Sequence, residues 1–95
     1  MATWLHLNKM ALYQRGFKLV ASYTCFTKMG WDEYRKKFNW YVSDYECFTN
    51  GEQYLIRLYY GRGRVWDNVY DSKEKANAHM KSVLERCTNY KRNKY

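Results

Sequence analysis

The sequence contains no proline, only five glycines and two histidines, and no long run of apolar residues. A membrane-spanning helix needs about 20 consecutive apolar residues, so the absence of such a run excludes one. The three cysteines, at positions 25, 47 and 87, fit neither a disulfide framework nor the close cysteine pairs of a zinc site. We therefore expect free cysteines, no metal, no cofactor and no membrane partner.

The start of the chain predicts where the protein resides. Met1-Ala2-Thr3-Trp4 lacks the basic segment and apolar core of a secretory signal. Together with cysteines that do not pair by spacing, this predicts a cytoplasmic, reducing location. Ninety-five residues are too few for two independent hydrophobic cores. Residues 1–95 are accordingly expected to form a single domain.

Positive charge and aromatic rings are what the sequence has in excess. Its net charge is +8, and 20% of its residues are aromatic, far more than in disordered chains. Residues 1–31 carry four bases and no acid, and residues 72–95 carry seven bases and two acids. The intervening segment is close to neutral. Such segregated charge favours an anionic partner, although an ordinary solvated surface would give the same composition.

The clearest predicted element is a helix over residues 72–89. The segment Asp71-Ser72-Lys73-Glu74 offers a capping residue with a glutamate at the third position after it, and the two can satisfy the first free N–H groups of the helix reciprocally. One face then carries an apolar stripe at helical spacing, made of Ala76, Met80, Val83, Leu84 and Cys87. This stripe predicts docking on a core.

Alternation of apolar and polar residues predicts three strands upstream of this helix, over residues 38–43, 53–60 and 65–70. Turns are expected at Thr49-Asn50-Gly51 and Gly61-Arg62-Gly63. Residues 17–26 are rich in β-forming residues and predict a fourth strand. The predicted fold is therefore α+β, a small antiparallel β-sheet of three or four strands packed against a C-terminal amphipathic helix.

Two segments of the first third have weaker patterns. Residues 4–15 fit a helix that Gly16 ends, or a short hairpin. Trp31, Tyr34 and Phe38 are helically spaced behind two acidic residues, which is compatible with a short helix over residues 31–37.

The predicted sheet has two faces of different composition. We expect the face toward the helix to carry Phe38, Trp40, Val42, Tyr54, Ile56, Leu58, Val65 and Val69. The other face would then carry Tyr41, Tyr45, Arg57, Tyr59, Trp66 and Tyr70, with Arg62 and Arg64 at the turn. Rings interleaved with guanidinium groups are typical of platforms that bind single-stranded nucleic acid. Two alternatives remain open. The N-terminal segment with Trp4 or Trp31 covers this face as a second core, in which case Arg57, Arg62 and Arg64 emerge at its rim. Alternatively, this rim of rings and arginines contacts a protein.

Catalytic groups are scarce. The two histidines, His6 and His79, have no nucleophile or carboxylate at a telling spacing. The glycines at positions 61 and 63 lack the spacing of a phosphate-binding loop and join two strands. The protein is therefore not expected to be an enzyme.

The second half of the chain contains a set of short motifs: Lys37-Phe38-Asn39-Trp40-Tyr41, Tyr60-Gly61-Arg62, a helix opening at Tyr70-Asp71-Ser72 with Ala76, and the closing Tyr95. With these motifs, residues 37–95 resemble a WGR domain. The resemblance implies a small antiparallel sheet with one helix that engages DNA ends and neighbouring domains, with Tyr60, Gly61 and Arg62 at the contact. The chain departs from the family where Gly63-Arg64-Val65 follows the motif, because the family has an aliphatic residue and then glycine.

These observations predict a small, basic, non-enzymatic module that binds nucleic acid or a nucleoprotein complex. The alternative is a phage-type inhibitor that blocks a host protein or nucleic-acid enzyme, for example an anti-CRISPR. The predicted contact residues are Tyr41, Arg57, Tyr59, Tyr60, Arg62, Arg64, Trp66, Lys91 and Arg92.

Overall fold

In the computed structural model, which describes residues 7–61 and 63–94, five antiparallel strands and two helices make up the fold. The elements are α1 (Lys9–Gln14), β1 (Lys18–Asp32), β2 (Lys37–Thr49), β3 (Tyr54–Tyr60), β4 (Arg64–Tyr70), α2 (Lys73–Arg86) and β5 (Asn89–Arg92). The strands form one sheet in the order β4-β3-β2-β1-β5. The class is therefore α+β.

The predicted arrangement of three or four strands against a C-terminal helix is wrong. The sheet has five strands, and α2 is followed by β5, which returns to pair with β1 at the far edge. Along the chain, helix α2 therefore lies between β4 and β5, which are the two edge strands of the same sheet. All four residues of β5 are exposed, so this strand carries no apolar alternation from which it could have been predicted.

Helix α2 docks as its sequence suggests, but its cap is Ser72 and not Asp71, the residue that the spacing to Glu74 indicated. The Ser72 hydroxyl accepts a hydrogen bond from the Lys75 N–H, which caps the first turn. Its buried residues, Ala76, Met80 and Val83, pack with Cys25 and Ile56 of the sheet. We call this side of the sheet the α2 face.

The opposite side, the α1 face, has a second core. Leu12 of helix α1 packs with Phe17, Phe48 and Leu55, all of which are almost fully buried. The helix ends at Arg15, and Gly16 takes a positive φ of 86° that redirects the chain into β1. Of the two alternatives for residues 4–15, the described part, from Leu7 onward, therefore contains a helix.

Strands β1 and β2 are much longer than their neighbours. Strand β3 pairs with β2 only from Asp44 onward, and β5 pairs with β1 only up to Phe26. Residues 27–32 and 37–42 therefore pair only with each other among the described strands. With the turn that joins them they form a two-stranded extension of the sheet, which we call the ribbon (residues 27–42).

The short helix expected over residues 31–37 is wrong, because this segment is the turn of the ribbon. One Asp32 carboxylate oxygen accepts the N–H groups of Tyr34 and Arg35, as a helix cap would. The chain then reverses at Lys36, whose φ of 56° lies in the left-handed region. A helical turn therefore starts but cannot continue.

The register of β2 corrects the predicted faces. Cys47 lies opposite Ile56, so the odd-numbered residues of β2 share the α2 face with Tyr54, Ile56 and Leu58. Phe38, Trp40 and Val42 consequently lie on the α1 face. Val65 and Val69 lie opposite Tyr59 and Leu55, which places these valines on the α1 face as well. The predicted helix-facing set therefore mixes residues from both faces.

Candidate functional site

Two of the predicted contact residues, Arg57 and Tyr59, belong to a buried polar network on the α1 face. Arg57 donates two hydrogen bonds to Asp67, of 2.8 and 2.9 Å, and its side chain is only 4% exposed. The Tyr59 hydroxyl donates a 2.5 Å hydrogen bond to Glu46, which also pairs with Lys9 at 2.7 Å. The Arg57 guanidinium is therefore not on the surface, contrary to the expectation that it would emerge at a rim.

The environment of Tyr59 opposes ionisation of its phenol. Burial is the largest cause, and the hydrogen bond and negative charge of Glu46 add to it, so the pKa of Tyr59 rises to about 12. The positive charge of Arg57 offsets part of this rise. The Tyr59 phenol therefore stays protonated, and its hydrogen bond to Glu46 contributes to the folded structure.

Three other predicted residues, Tyr60, Arg64 and Trp66, are brought together at the end of the β3–β4 hairpin. Tyr60 lies opposite Arg64, and Trp66 lies opposite Leu58, all on the α2 face. Trp66 is 57% exposed. Arg62 lies outside the described residues, as do Trp4, His6 and Tyr95. The hairpin end is thus one exposed cluster of ring and guanidinium groups.

The remaining predicted residues are separated from that cluster. Lys91 and Arg92 are exposed on β5, and three strands separate β5 from β4. They point to opposite faces because they are adjacent in a strand. Tyr41 lies on the α2 face of the ribbon, opposite Thr27. The nine predicted residues therefore do not form one surface.

The most distinctive exposed surface consists of residues that the sequence pattern had assigned to the core. Trp31, Phe38 and Trp40 lie side by side on the α1 face of the ribbon and are 48%, 42% and 46% exposed. The rings of Trp31 and Phe38 meet edge to face with centroids 4.9 Å apart. We call these three residues the aromatic stripe.

A bulge in β1 places Trp31 in the aromatic stripe. Lys28 pairs with Trp40 and Trp31 pairs with Phe38, so two residues of β1, Met29 and Gly30, stand against one residue of β2. The extra residue shifts the alternation by one, and Trp31 therefore points to the same side as Lys28. Without the bulge Trp31 would lie on the α2 face.

Lys28 lies within the aromatic stripe. Its ammonium nitrogen is 4.6 Å from the ring centroid of Phe38 and 5.6 Å from that of Trp40, which is cation–π geometry. The backbone N–H of Lys28 donates to the Thr88 hydroxyl, which fixes this point of the ribbon to the connection between α2 and β5. The stripe therefore presents rings and a cation on a supported backbone.

The acids near the stripe are matched by neighbouring cations. Glu33 pairs with Lys36 and accepts the Trp31 indole N–H at 2.8 Å, and these bonds lower its pKa. Asp32 lies 3.7 Å from Arg35. Within residues 7–61 and 63–94, neither Lys28 nor Lys37 has an ion-pair partner. The ribbon therefore has surplus positive charge.

One feature of the sequence could have revealed this surface. Residues 37–49 contain no glycine or proline and form one strand of 13 residues, whereas β3 has seven residues before Gly61 ends it. A strand of 13 residues beside one of seven must extend past its neighbour. The part of β2 that extends past β3 has no neighbouring strand on that side. The rings in this part therefore stay exposed although they are apolar.

Other kinds of site receive no support from the described residues. Among these residues no group of three or more His, Cys, Asp or Glu side chains could hold a metal ion. No helix in the described part of the chain is long and apolar enough to cross a membrane. His79 accepts or donates one hydrogen bond with the Tyr70 hydroxyl at 2.6 Å, and burial lowers its pKa.

Comparison of the chain with protein-family models, with curated proteins and with solved structures gave no match. The resemblance to a WGR domain therefore stays a prediction. Of its three contact positions, Tyr60 ends β3 and Gly61 has a positive φ of 60°, while Arg62 lies outside the described residues.

Proposed function

We propose that the protein is a non-enzymatic module that binds single-stranded nucleic acid through the aromatic stripe. The observation that carries this proposal is the exposure of Trp31, Phe38 and Trp40 in a row around Lys28 on a projecting ribbon. Rings presented on strands stack on unpaired bases, at about 1–3 kcal/mol for each base. The site thus differs from the one predicted, although its chemistry is the same.

Cations on the same face supply contacts for phosphate groups. Lys91 lies opposite Thr24 of β1, and Lys28 follows four residues later on that strand, about 13 Å further along. Both side chains lie on the α1 face, Lys28 within the stripe and Lys91 on the neighbouring strand β5. Two such contacts predict that the logarithm of affinity falls with the logarithm of salt concentration with a slope of about −1.4.

Fluorescence anisotropy with labelled DNA and RNA oligonucleotides of about 12 nucleotides tests the proposal. Trp40→Ala should weaken binding by about 5-fold to 150-fold, the equivalent of one lost stack. Tyr41→Ala is the matched control, because Tyr41 is the next residue, is 42% exposed and points to the other face. Equal losses in the two variants would contradict the proposed face.

The charged contacts can be tested with the same design. Lys91→Gln should reduce the salt slope by about 0.7, whereas Arg92→Gln, on the opposite face, should leave it unchanged. Failure of both single strands to bind at about 50 mM salt would contradict the proposal. If the chain then retained a protein partner after nuclease treatment, inhibition of that protein would be the better explanation of what the ribbon does.

A further inference from the structure

A cavity of about 380 Å³ lies between helix α2 and the sheet, away from the aromatic stripe. Its walls include Tyr23, Cys47 and Ile56 of the sheet and Ala76 and Met80 of the helix. The helix packs mainly on β3 and β4. Space is therefore left between its first turns and strands β1 and β2.

The cavity is open to solvent and has the volume of a small-ligand pocket. Close-packed interiors have few voids wider than a water molecule, whereas pockets for small ligands begin at about 300 Å³. A bulge in β1 between Leu19 and Ala21 lies at one side of the cavity, and Ala21 offers only a methyl group to fill it. The geometry thus suits a small apolar body.

Two cations stand among the residues that line this cavity. Arg92 of β5 lies over Tyr23, with its guanidinium carbon 5.8 Å from the ring centroid, and Lys73 belongs to the first turn of α2. Neither cation forms an ion pair with a described residue, and no acid of the described chain lines the cavity. Apolar walls and an uncompensated positive charge therefore occur together.

The charge of Arg92 reaches into the cavity. Burial raises the pKa of the Cys47 thiol to about 11, and the positive charge of Arg92 opposes that rise. An anion held near Arg92 would be attracted by the same positive charge. The first turn of α2 offers less to a phosphate group, because Ser72 already accepts the Lys75 N–H.

We propose that this cavity binds a small amphipathic carboxylate, with its apolar chain against Met80 and Ile56 and its carboxylate on Arg92 and Lys73. A planar guanidinium matches a carboxylate in shape and charge, and the apolar walls favour a hydrocarbon chain. This site is independent of the aromatic stripe, which lies on the other face of the sheet.

Titration with decanoate, followed by calorimetry and by the NMR signals of the Met80 and Ile56 methyl groups, tests the proposal. We expect saturable binding at one site with shifts concentrated at these methyl groups. Decanol, which keeps the hydrocarbon chain without the charge, should bind at least about tenfold more weakly than decanoate, and acetate should not bind. Equal affinity for decanoate and decanol would overturn the assignment of a carboxylate.

Variants separate this site from a general effect of charge. Arg92→Gln should weaken decanoate binding by about tenfold or more and leave decanol binding unchanged. Lys91→Gln is the matched control, since it removes the same charge from the adjacent residue on the other face. An equal loss in the control, or non-saturable binding to the native chain, would overturn the proposal. Trp40→Ala should leave decanoate binding intact whether or not nucleic acid binds.

Discussion

The ion pair of Arg57 and Asp67 is the most deeply buried charge pair described in the protein, with side chains 4% and 0% exposed. Arg57 donates two hydrogen bonds to the Asp67 carboxylate, of 2.8 and 2.9 Å. Two charges removed from water stabilise a fold only while they remain together. Arg57 therefore acts as a structural residue beneath α1 rather than as a contact for a partner.

Arg57→Met should destabilise the protein by about 3–5 kcal/mol, because Asp67 loses its bidentate partner while it stays buried. Urea unfolding measures the change. Arg57→Met combined with Asp67→Leu should recover much of the lost stability, since no charge is then left buried.

Arg64→Met serves as the surface control, with an expected effect within about 0.5 kcal/mol. A loss below about 1 kcal/mol for Arg57→Met would show that Asp67 is satisfied without Arg57.

The ribbon is the element that departs most from a packed sheet. None of its residues belongs to either group of fully buried core residues, and both of its faces are largely exposed. Its stability comes from its own cross-strand pairs, from the Asp32 turn and from the anchor of Lys28 on Thr88. An element of this kind can carry a binding surface without disturbing the two cores.

Shortening the ribbon tests this independence. Residues 28–40 can be replaced by Asn-Gly, which joins Thr27 to Tyr41, a pair that already faces across the two strands. The free energy of unfolding should change by less than about 1 kcal/mol, because both cores stay intact. Binding of oligonucleotides should be lost. Unfolding of the shortened chain at room temperature would instead make the ribbon part of the folding unit.

The molecule as a whole is elongated because the ribbon extends one end of the sheet. Its dimensions are 49 × 27 × 26 Å, and its radius of gyration is 15.1 Å. A compact domain of this length would have a radius of gyration of about 12 Å. The two cores lie near the helices, so the positive charge on the ribbon and on β5 sits outside them. A shape of this kind exposes more surface to a partner than its mass suggests.

Stability of the whole molecule should fall as the solution becomes alkaline. In the folded state burial raises the pKa of Cys47 from 9.0 to about 11 and that of Cys25 from 9.0 to about 12. The pKa of Tyr59 rises from 10.0 to about 12. The unfolded chain therefore releases these protons first, and the stabilisation, complete below about pH 9, is lost as the pH rises through the folded values.

The urea midpoint measured under reducing conditions should thus be lower at about pH 10.5 than at about pH 8. Tyr59→Phe should flatten the decline above about pH 10, whereas Tyr34→Phe should not, because Tyr34 is almost fully exposed. A midpoint that does not change over this range would contradict the assignment of the three buried groups.

Local patterns sufficed for several elements. Helix α2, the strands β3 and β4 and the turn at Asn50 and Gly51 each depend on residues close together in the chain. The chemistry expected of the site, rings beside cations, also follows from composition. Strand β5 was missed because its four exposed residues have no pattern, and its partner in β1 lies more than 60 residues away.

The sequence by itself determined the α+β class, most strand positions and the excess of rings and positive charge, because these depend on local alternation and composition. Only the tertiary structure decided which face each ring occupies, because hairpin register and the bulge before Trp31 set the side on which alternate residues lie. It also decided that Arg57 is buried, since Asp67 meets it only across the β3–β4 pair. The sequence also lacks the long apolar run that a membrane-spanning helix needs. The aromatic stripe, in contrast, became visible only in the structure, where β1 and β2 extend past their neighbouring strands.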